Sequence, residues 1–194
     1  MAGVLRTSWK ALLAQAFRRY FVNTVFDSTF VSMGIVVASA LVPGAGVGTV
    51  VGTMFAATLA LGISTGTSVY EAEKVEAEIR LRELERAMLT SLDGTEATRV
   101  LDVSRYIVVT VNVVAPLAVF LAMAAPFLLS GSMTIFGIPT AFFSVAVAMV
   151  VLFTVGWYLA RLTGRPAWLK GLRMAGIGVA TFGAIWFIQG FVLG

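Results

Sequence analysis

The sequence predicts an all-α integral membrane protein with five transmembrane helices. Of its 194 residues, 59% are hydrophobic and only 12% are charged, and the mean hydropathy is +0.94. Uncharged runs of about eighteen residues or more are typical of membrane spans, which are built as helices or closed barrels. The apolar runs in this chain are continuous rather than alternating, and this pattern favours helices.

The absence of two residue types excludes several kinds of chemistry. The chain contains no cysteine and no histidine. It therefore has no disulfides, no thiolate or imidazole metal ligands, and no cysteine or histidine catalysis. An intramembrane hydrolase is also disfavoured, since Ser64 and Ser68 have no basic partner at their depth. We expect no enzyme activity, no resident cofactor and no nucleic-acid partner.

Turn residues divide the apolar runs into five spans. Pro43, Gly44 and Gly46 separate the first two spans, and the segment from Ser130 to Pro139 separates the third from the fourth. Each span has about 20 residues, which is enough to cross a hydrocarbon core of about 30 Å. The predicted spans are residues 20–42, 47–70, 106–129, 139–160 and 174–193.

The basic residues predict an orientation. Residues 1–19 carry four of them and residues 161–173 carry four more, whereas the connections 43–46 and 130–138 carry no charge. The positive-inside rule then places the N-terminus in the cytoplasm and the C-terminus outside. Apolar residues recur at helical spacing in residues 1–19, so this segment is predicted to be an amphipathic interfacial helix. A signal peptide cleaved after Ala40 is the alternative, but Asp27 and the long basic leader disfavour it.

The second span is predicted to continue into the cytoplasm as one helix. No helix-breaking residue follows Tyr70, and residues 71–89 are rich in helix formers until Asp93 and Gly94 supply a stop. Residues 71–105 form a glutamate-rich helical segment with nine acidic against six basic residues. Its glutamates are predicted either to form a solvated face or to collect cations near the membrane. The candidates for cation collection are Glu71, Glu73, Glu76 and Glu78.

Two features predict helix packing and a homodimer. Small residues recur every four positions from Gly44 through Gly48 and Gly52 to Ala60, and such faces let helices approach closely in lipid. A similar stripe on the fifth span consists of Gly176, Ala180 and Ala184. Beyond residue 70, apolar residues form a coiled-coil-like seam. The seam comprises Ala77, Leu81, Leu84, Met88 and Leu92.

Polar residues lie at similar depth in three spans. Asp27 is the only charge between Arg19 and Glu71, and a charge within a span costs about 2.5–3.5 kcal/mol on insertion scales. The nearby polar residues predicted to line a pathway are Asn23, Ser64, Thr67 and Asn112. One interpretation is a polar clasp with a protonated Asp27. The other is an ion site whose oxygen ligands suit Mn²⁺ or Fe²⁺ better than Cu⁺ or Zn²⁺.

These residues resemble the vacuolar iron transporter family of divalent metal transporters. The segment FDSTFV at residues 26–31 is similar to that family's N-D-G-x-V motif, which puts the family's pathway aspartate at Asp27. The segment ISTGTSVY at residues 63–70, with Lys74 and Glu76, resembles the family's second-span pattern. The family's methionine would fall at Thr65 and its acidic residue at Val69. The resemblance implies a homodimer with the pathway between protomers, and proton-coupled export of Fe²⁺ or Mn²⁺.

The leading hypothesis is therefore a divalent-cation transporter in the bilayer, acting as an antiporter. Asp27 would be the central ligand and proton-exchange group. The divergence from the family points to a prokaryotic, in particular an archaeal, cell membrane. The alternative is a non-transporting membrane scaffold that uses the cytoplasmic seam around Leu81, Leu84 and Met88 to bind a partner.

Overall fold

The structure, a computed structural model, describes residues 2–42, 44–91, 96–162, 164 and 166–193. Of these, residues 2–16, 96–102, 104, 192 and 193 are described by their backbone alone. The elements, in chain order, are α1 (Ala2–Leu41), α2 (Val47–Met88), α3 (Glu96–Ser130), β1 (Thr134–Ile135), β2 (Ile138–Pro139), α4 (Thr140–Leu162) and α5 (Ala167–Leu193).

Five of these helices are long and apolar enough to cross a membrane. The candidate spans are Phe17–Leu41, Val47–Met88, Arg105–Ser130, Thr140–Leu162 and Ala167–Phe191. The prediction of five membrane-spanning helices in an all-helical chain is confirmed at this level. Helix α2 begins at Val47, the residue at which the second span was predicted to begin. Its 42 residues extend about 63 Å, twice the thickness of a hydrocarbon core.

Helix α1 has no boundary between the leader and the first span. It runs for 40 residues from Ala2, whereas the sequence pattern predicted a leader, residues 1–19, separate from the span that follows. The leader is helical, as predicted, but it is continuous with the span. Its placement on a membrane surface stays a prediction.

Helix α2 continues past Tyr70 as predicted and ends one residue before the end of the predicted helix-forming run, residues 71–89. The predicted stop, Asp93 and Gly94, lies outside the described residues, as does Leu92 of the seam. The helix ends at Met88, and Leu89 adopts a φ of 50°. The Thr90 amide then donates a hydrogen bond of 3.3 Å to the Glu85 carbonyl. This is the six-to-one bond of a Schellman cap, with leucine at the position that glycine usually occupies.

The connection between α3 and α4 is a short β-hairpin, a detail that the all-helical prediction did not include. Strands β1 and β2 pair antiparallel, with Ile135 opposite Ile138. The two turn residues, Phe136 and Gly137, have φ values of 53° and 79°. Positive φ at both positions is the requirement of a type I′ turn, which suits a two-residue hairpin loop.

Helix α5 begins seven residues before the predicted span, at Ala167 rather than residue 174. Pro166 directly precedes the first helical residue, and proline is favoured at helix starts. The basic residues Lys170 and Arg173, which indicated a loop, lie instead in the first two turns of the helix. Charged residues at a helix end can extend into the interface without leaving the helix.

The chain divides into two compact units. The first comprises Met1–Thr24 and Gly62–Ala115, and the second comprises Val25–Leu61 and Pro116–Gly194. Helices α1, α2 and α3 each contribute residues to both units, and α4 and α5 belong to the second.

Close glycine contacts hold α4 and α5 together in the second unit. A Cβ built on Gly156 would lie 2.8 Å from the Lys170 carbonyl oxygen and 2.9 Å from the Gly171 Cα. A Cβ on Gly178 would lie 2.6 Å from a Leu152 methyl carbon. The predicted α5 stripe is not part of this contact, because a Cβ on Gly176 would meet nothing within 4 Å. The α4–α5 contact uses Gly156, Gly171 and Gly178 instead.

Candidate polar sites within the spans

In the first unit, Asn112 is the centre of a buried hydrogen-bond network. Its side chain is 1% exposed. The Thr24 hydroxyl donates to Asn112 Oδ1, and Asn112 Nδ2 donates to the Val108 carbonyl at 2.8 Å. Both functional groups of the amide are therefore engaged, which is what a buried amide requires.

The backbone of Asn112 also takes part in this network. Pro116 has no N–H group, so the usual helical donor to the Asn112 carbonyl is missing. The Thr65 hydroxyl lies 3.4 Å from that carbonyl and 3.4 Å from the Gly62 carbonyl of its own helix, so its single proton is shared between the two. The side chain of Asn112 thus joins α3 to α1, and the backbone carbonyl of Asn112 joins α3 to α2. This arrangement favours the polar clasp as the role of Asn112.

The packing of Gly66 explains which polar residues of α2 turn inward. A Cβ on Gly66 would lie 2.9 Å from Val113 Cγ2, so the helices approach closely at this glycine. Val69, on the same face, is 8% exposed. With this face inward, Ser64 and Thr67 are exposed on α2. The family resemblance would place a methionine at residue 65 and an acidic residue at residue 69. Thr65 and Val69 stand there instead, so neither position supplies a thioether or an acidic ligand.

Aromatic and basic side chains lie in contact in the first unit, beside the acidic part of α2. The Arg105 guanidinium carbon lies 4.8 Å from the Tyr70 ring centroid and 5.5 Å from that of Tyr106. Arg19 Nη2 donates to the Tyr20 hydroxyl at 2.8 Å, and the Glu73 carboxylate lies near enough to interact with that hydroxyl. Such cation–π contacts and amphipathic rings are typical of a membrane interface.

The predicted glutamate ligands do not form a cluster. Within the described residues, no group of three or more aspartate or glutamate side chains could hold a metal ion. Glu76 instead forms an ion pair with Arg80 at 3.1 Å, and both side chains are substantially exposed. An exposed pair one helical turn apart contributes about 0.3–0.5 kcal/mol. Glu71 and Glu78 are exposed on the same helix, and Glu73 is half-buried beside Tyr20.

In the second unit, α1 carries a half-buried carboxylate beside buried hydroxyls. Asp27 is half-buried, and Ser28, Thr29 and Ser32 are each at most 1% exposed. The Thr29 hydroxyl donates to the Val25 carbonyl at 2.6 Å. Ser32 Oγ has no hydrogen-bond partner among the described residues. A buried polar atom of this kind marks a position where a further polar partner can bind.

The remaining predicted residues lie on the surface of the chain. Asn23 is exposed on α1, and Gly48 and Gly52 are exposed on α2. In the seam, Leu81 and Leu84 are half-buried, whereas Met88 is 59% exposed. Two further exposed apolar residues, Val75 and Ile79, lie one turn apart on the same helix. They were not among the predicted residues, although their four-residue spacing marks a second apolar face.

Comparison with protein-family models, with curated proteins and with solved structures finds no match to this chain. The class that the fold defines is a multi-pass helical membrane protein. The resemblance to the vacuolar iron transporter family stays a prediction that rests on the residues quoted above.

Proposed function

We propose that this protein transports a divalent cation, Fe²⁺ or Mn²⁺, across a prokaryotic membrane in exchange for protons. The observation that carries the proposal is Asp27, a half-buried carboxylate within the span Phe17–Leu41. Ionisable residues inside membrane spans are costly and usually face an interior or a hydrated path. The buried hydroxyl of Ser28 on the same helix supplies a further oxygen group.

The proposed orientation places the N-terminus and the acidic part of α2 in the cytoplasm. Arg18 and Arg19 flank the start of the first span, and Lys170 and Arg173 lie at the start of α5. The hairpin between α3 and α4 carries no charge, in agreement with an external position. In this orientation the glutamates of α2 face the compartment from which the cation is taken.

A homodimer gives the exposed polar residues of α2 a role. The exposed small-residue face at Gly48 and Gly52 continues at four-residue spacing through Ala56 and Ala60 to Ser64. A second protomer packed on this face would bring Ser64 and Thr67 into a shared path. This is the arrangement that the family resemblance implies, and it assigns Asn112 to structural support rather than to cation binding.

The test is metal uptake into proteoliposomes under an imposed pH gradient. Asp27→Asn keeps the size of the side chain but removes its charge and its exchangeable proton. We expect uptake of Fe²⁺ and Mn²⁺ to fall about tenfold or more, because the carboxylate is the strongest attraction for a divalent cation in the span. Thr181→Val is the matched control, since the Thr181 hydroxyl only donates to the Ile177 carbonyl of its own helix. Unchanged transport in Asp27→Asn would exclude the proposed role of the carboxylate.

A scaffold function is the second candidate, and the exposed pair Val75 and Ile79 favours it. These residues are 55% and 48% exposed on the part of α2 that follows the predicted span. Absence of uptake by folded wild-type protein, together with loss of a cellular phenotype on changing Val75 and Ile79 to glutamine, would support the scaffold.

A further inference from the structure

Three methionines of the second unit are completely buried, one on each of three helices. Met33 on α1, Met54 on α2 and Met123 on α3 each have 0% of their surface exposed. We refer to these three residues as the methionine layer. The other described methionines are more exposed: Met133, Met149 and Met174 are half-buried and Met88 is exposed.

The methionines of α1 and α2 lie at equal depth from the same end of their helices. Met33 precedes the end of α1 at Leu41 by eight residues, and Met54 follows the start of α2 by seven. These intervals correspond to about 12 Å and about 10 Å along the helix axes. The connection between the two ends turns back on itself, since the Ala45 amide donates to the Val42 carbonyl at 3.3 Å. Only five residues, 42–46, separate the two helix ends, so both intervals are counted from the same connection.

A ring contact joins α2 and α3 close to Met54 and Met123 in the sequence. The rings of Phe55, next to Met54, and Phe120, three residues before Met123, have centroids 5.5 Å apart. Met123 precedes the end of α3 at Ser130 by seven residues, or about 10 Å. Its carbonyl accepts a hydrogen bond of 2.7 Å from the Ser144 hydroxyl of α4. The backbone at Met123 is thus fixed by a neighbouring helix.

An independent observation indicates that this level accommodates a polar partner. Ser32, the residue before Met33, is 1% exposed, and its hydroxyl has no hydrogen-bond partner in the described part of the chain. Serine hydroxyls inside helices can bond to the carbonyl four residues earlier, as Ser39 does to Ile35 at 2.8 Å. The Ser32 hydroxyl donates no such bond, and among the described residues it accepts none, so its oxygen lone pairs are unused.

The donors at this level select a particular class of ligand. Thioether sulfur is a soft ligand that prefers Cu⁺ among biological metal ions. The layer itself is neutral, and Asp27, the acidic residue of α1 in this unit, lies six residues or about 9 Å before Met33. Because the cost of burying an ion grows with the square of its charge, neutral donors favour a monovalent over a divalent cation. We propose that the methionine layer, with Ser32, is a binding site for Cu⁺.

This site is separate from the function proposed above and does not depend on it. The proposed transport of Fe²⁺ or Mn²⁺ rests on the carboxylate of Asp27, whereas Cu⁺ binding rests on neutral sulfur donors. The competing explanation is that the three methionines only fill space, which their flexible side chains do well in irregular cores. The two explanations differ in whether sulfur binds metal.

The first experiment uses the wild-type full chain in detergent with Cu⁺ alone, under reducing, oxygen-free conditions. A chromophoric Cu⁺ chelator in competition gives stoichiometry and affinity, and X-ray absorption at the copper edge identifies the donor atoms. Since the chain has no cysteine and no histidine, any sulfur around copper must come from methionine. We expect one Cu⁺ per chain with sulfur neighbours. No retention against the chelator, or copper without sulfur neighbours, would overturn the proposal.

The second experiment assigns the sulfur to the layer. Met33→Leu, Met54→Leu and Met123→Leu conserve volume, and such exchanges are well tolerated in cores. Each is expected to weaken Cu⁺ binding about tenfold or more, because a three-sulfur site loses a donor. Met149→Leu is the matched control: its sulfur would lie 2.8 Å from a Cβ on Gly178, in the α4–α5 contact. An equal loss in the control, or none in the three variants, would overturn the assignment. The melting temperature without metal shows that each variant is folded.

Discussion

At the scale of single residues, Asn112 shows how one amide can tie three helices of the first unit together. It accepts from Thr24 of α1, donates to its own helix, and offers its carbonyl to Thr65 of α2. Without these bonds, the polar groups would be buried with no hydrogen-bond partner, which costs free energy in an apolar environment. The clasp is therefore a stabilising element.

A double-mutant cycle measures the strength of this clasp. Asn112→Leu and Thr24→Val each remove one partner, and we expect each to lower the unfolding free energy by about 1 kcal/mol. The coupling between them should be about 0.6 kcal/mol and at most about 1.7, the range found for hydrogen bonds between membrane helices. The measurement is unfolding in mixed micelles by titration with a denaturing detergent. Strictly additive effects of the two substitutions would show that the hydrogen bond contributes nothing.

The sequence predicts which polar residues lie within the spans, but it does not predict which way their side chains face. Asp27, Asn112 and the hydroxyls of α2 stand out in the sequence because polar residues are rare in membrane spans. Which of them turns inward depends on helix rotation, and the close approach of Gly66 to Val113 sets that rotation for α2. Since the contact involves a residue 47 positions away from Gly66, a single-helix pattern does not contain it.

At the scale of helices and strands, the number of helices was easier to predict than the residues at which they begin and end. Five apolar runs gave five helices, because spans of this length have few alternatives in a bilayer. The start of α5 was predicted too late because Lys170 and Arg173 were taken as loop residues, although a helix can carry charges in its first turns. The cap of α2 was not predicted, because leucine rather than glycine adopts the left-handed conformation at residue 89. Nothing in a leucine-containing sequence signals that conformation.

The contact between α4 and α5 leads to a prediction at the element scale. Gly156→Ala would place a Cβ within 3 Å of backbone atoms of Lys170 and Gly171, so the helices must separate. We expect destabilisation by about 1–3 kcal/mol, the usual cost of overpacking. Gly176→Ala is the matched control on the same helix pair. It meets nothing within 4 Å and should stabilise by about 0.5–1 kcal/mol through helix propensity.

Unfolding in mixed micelles again provides the measurement, with helicity followed by circular dichroism. If Gly156→Ala and Gly176→Ala changed the unfolding free energy equally, the conclusion that Gly156 lies in a close helix contact and Gly176 does not would be wrong. If Gly176→Ala alone were destabilising, the α5 stripe would have a contact outside the single chain.

At the scale of the whole molecule, the exposed helix surfaces indicate where a second copy would bind. In the most apolar stretch of α2, 22% of the residues are buried, against 44% in the corresponding stretches of α1 and α3. Much of the surface of α2 is therefore not covered by its own chain. On that surface, Gly48 and Gly52 are exposed and a Cβ on either would meet nothing within 4 Å. Small residues of this kind promote close helix association in lipid. In the most apolar stretch of α5, 11% of the residues are buried. The face of α5 that carries Gly176 is therefore the alternative surface for a second copy.

These two surfaces can be distinguished by adding bulk to each. Gly52 is exposed and a Cβ there meets nothing within 4 Å, so Gly52→Ile adds its bulk on an open face of the chain, where it would hold a second α2 helix away. We expect the dimer dissociation constant to rise about tenfold or more, which corresponds to about 1.4 kcal/mol. Gly176→Ile is the comparison and should leave dimerisation unchanged. Energy transfer between labelled protomers in liposomes, measured over a range of protein-to-lipid ratios, gives both constants. A dimer that tolerates Gly52→Ile but not Gly176→Ile would place the interface on α5, and the exposed Ser64 and Thr67 of α2 would then face lipid rather than a shared path.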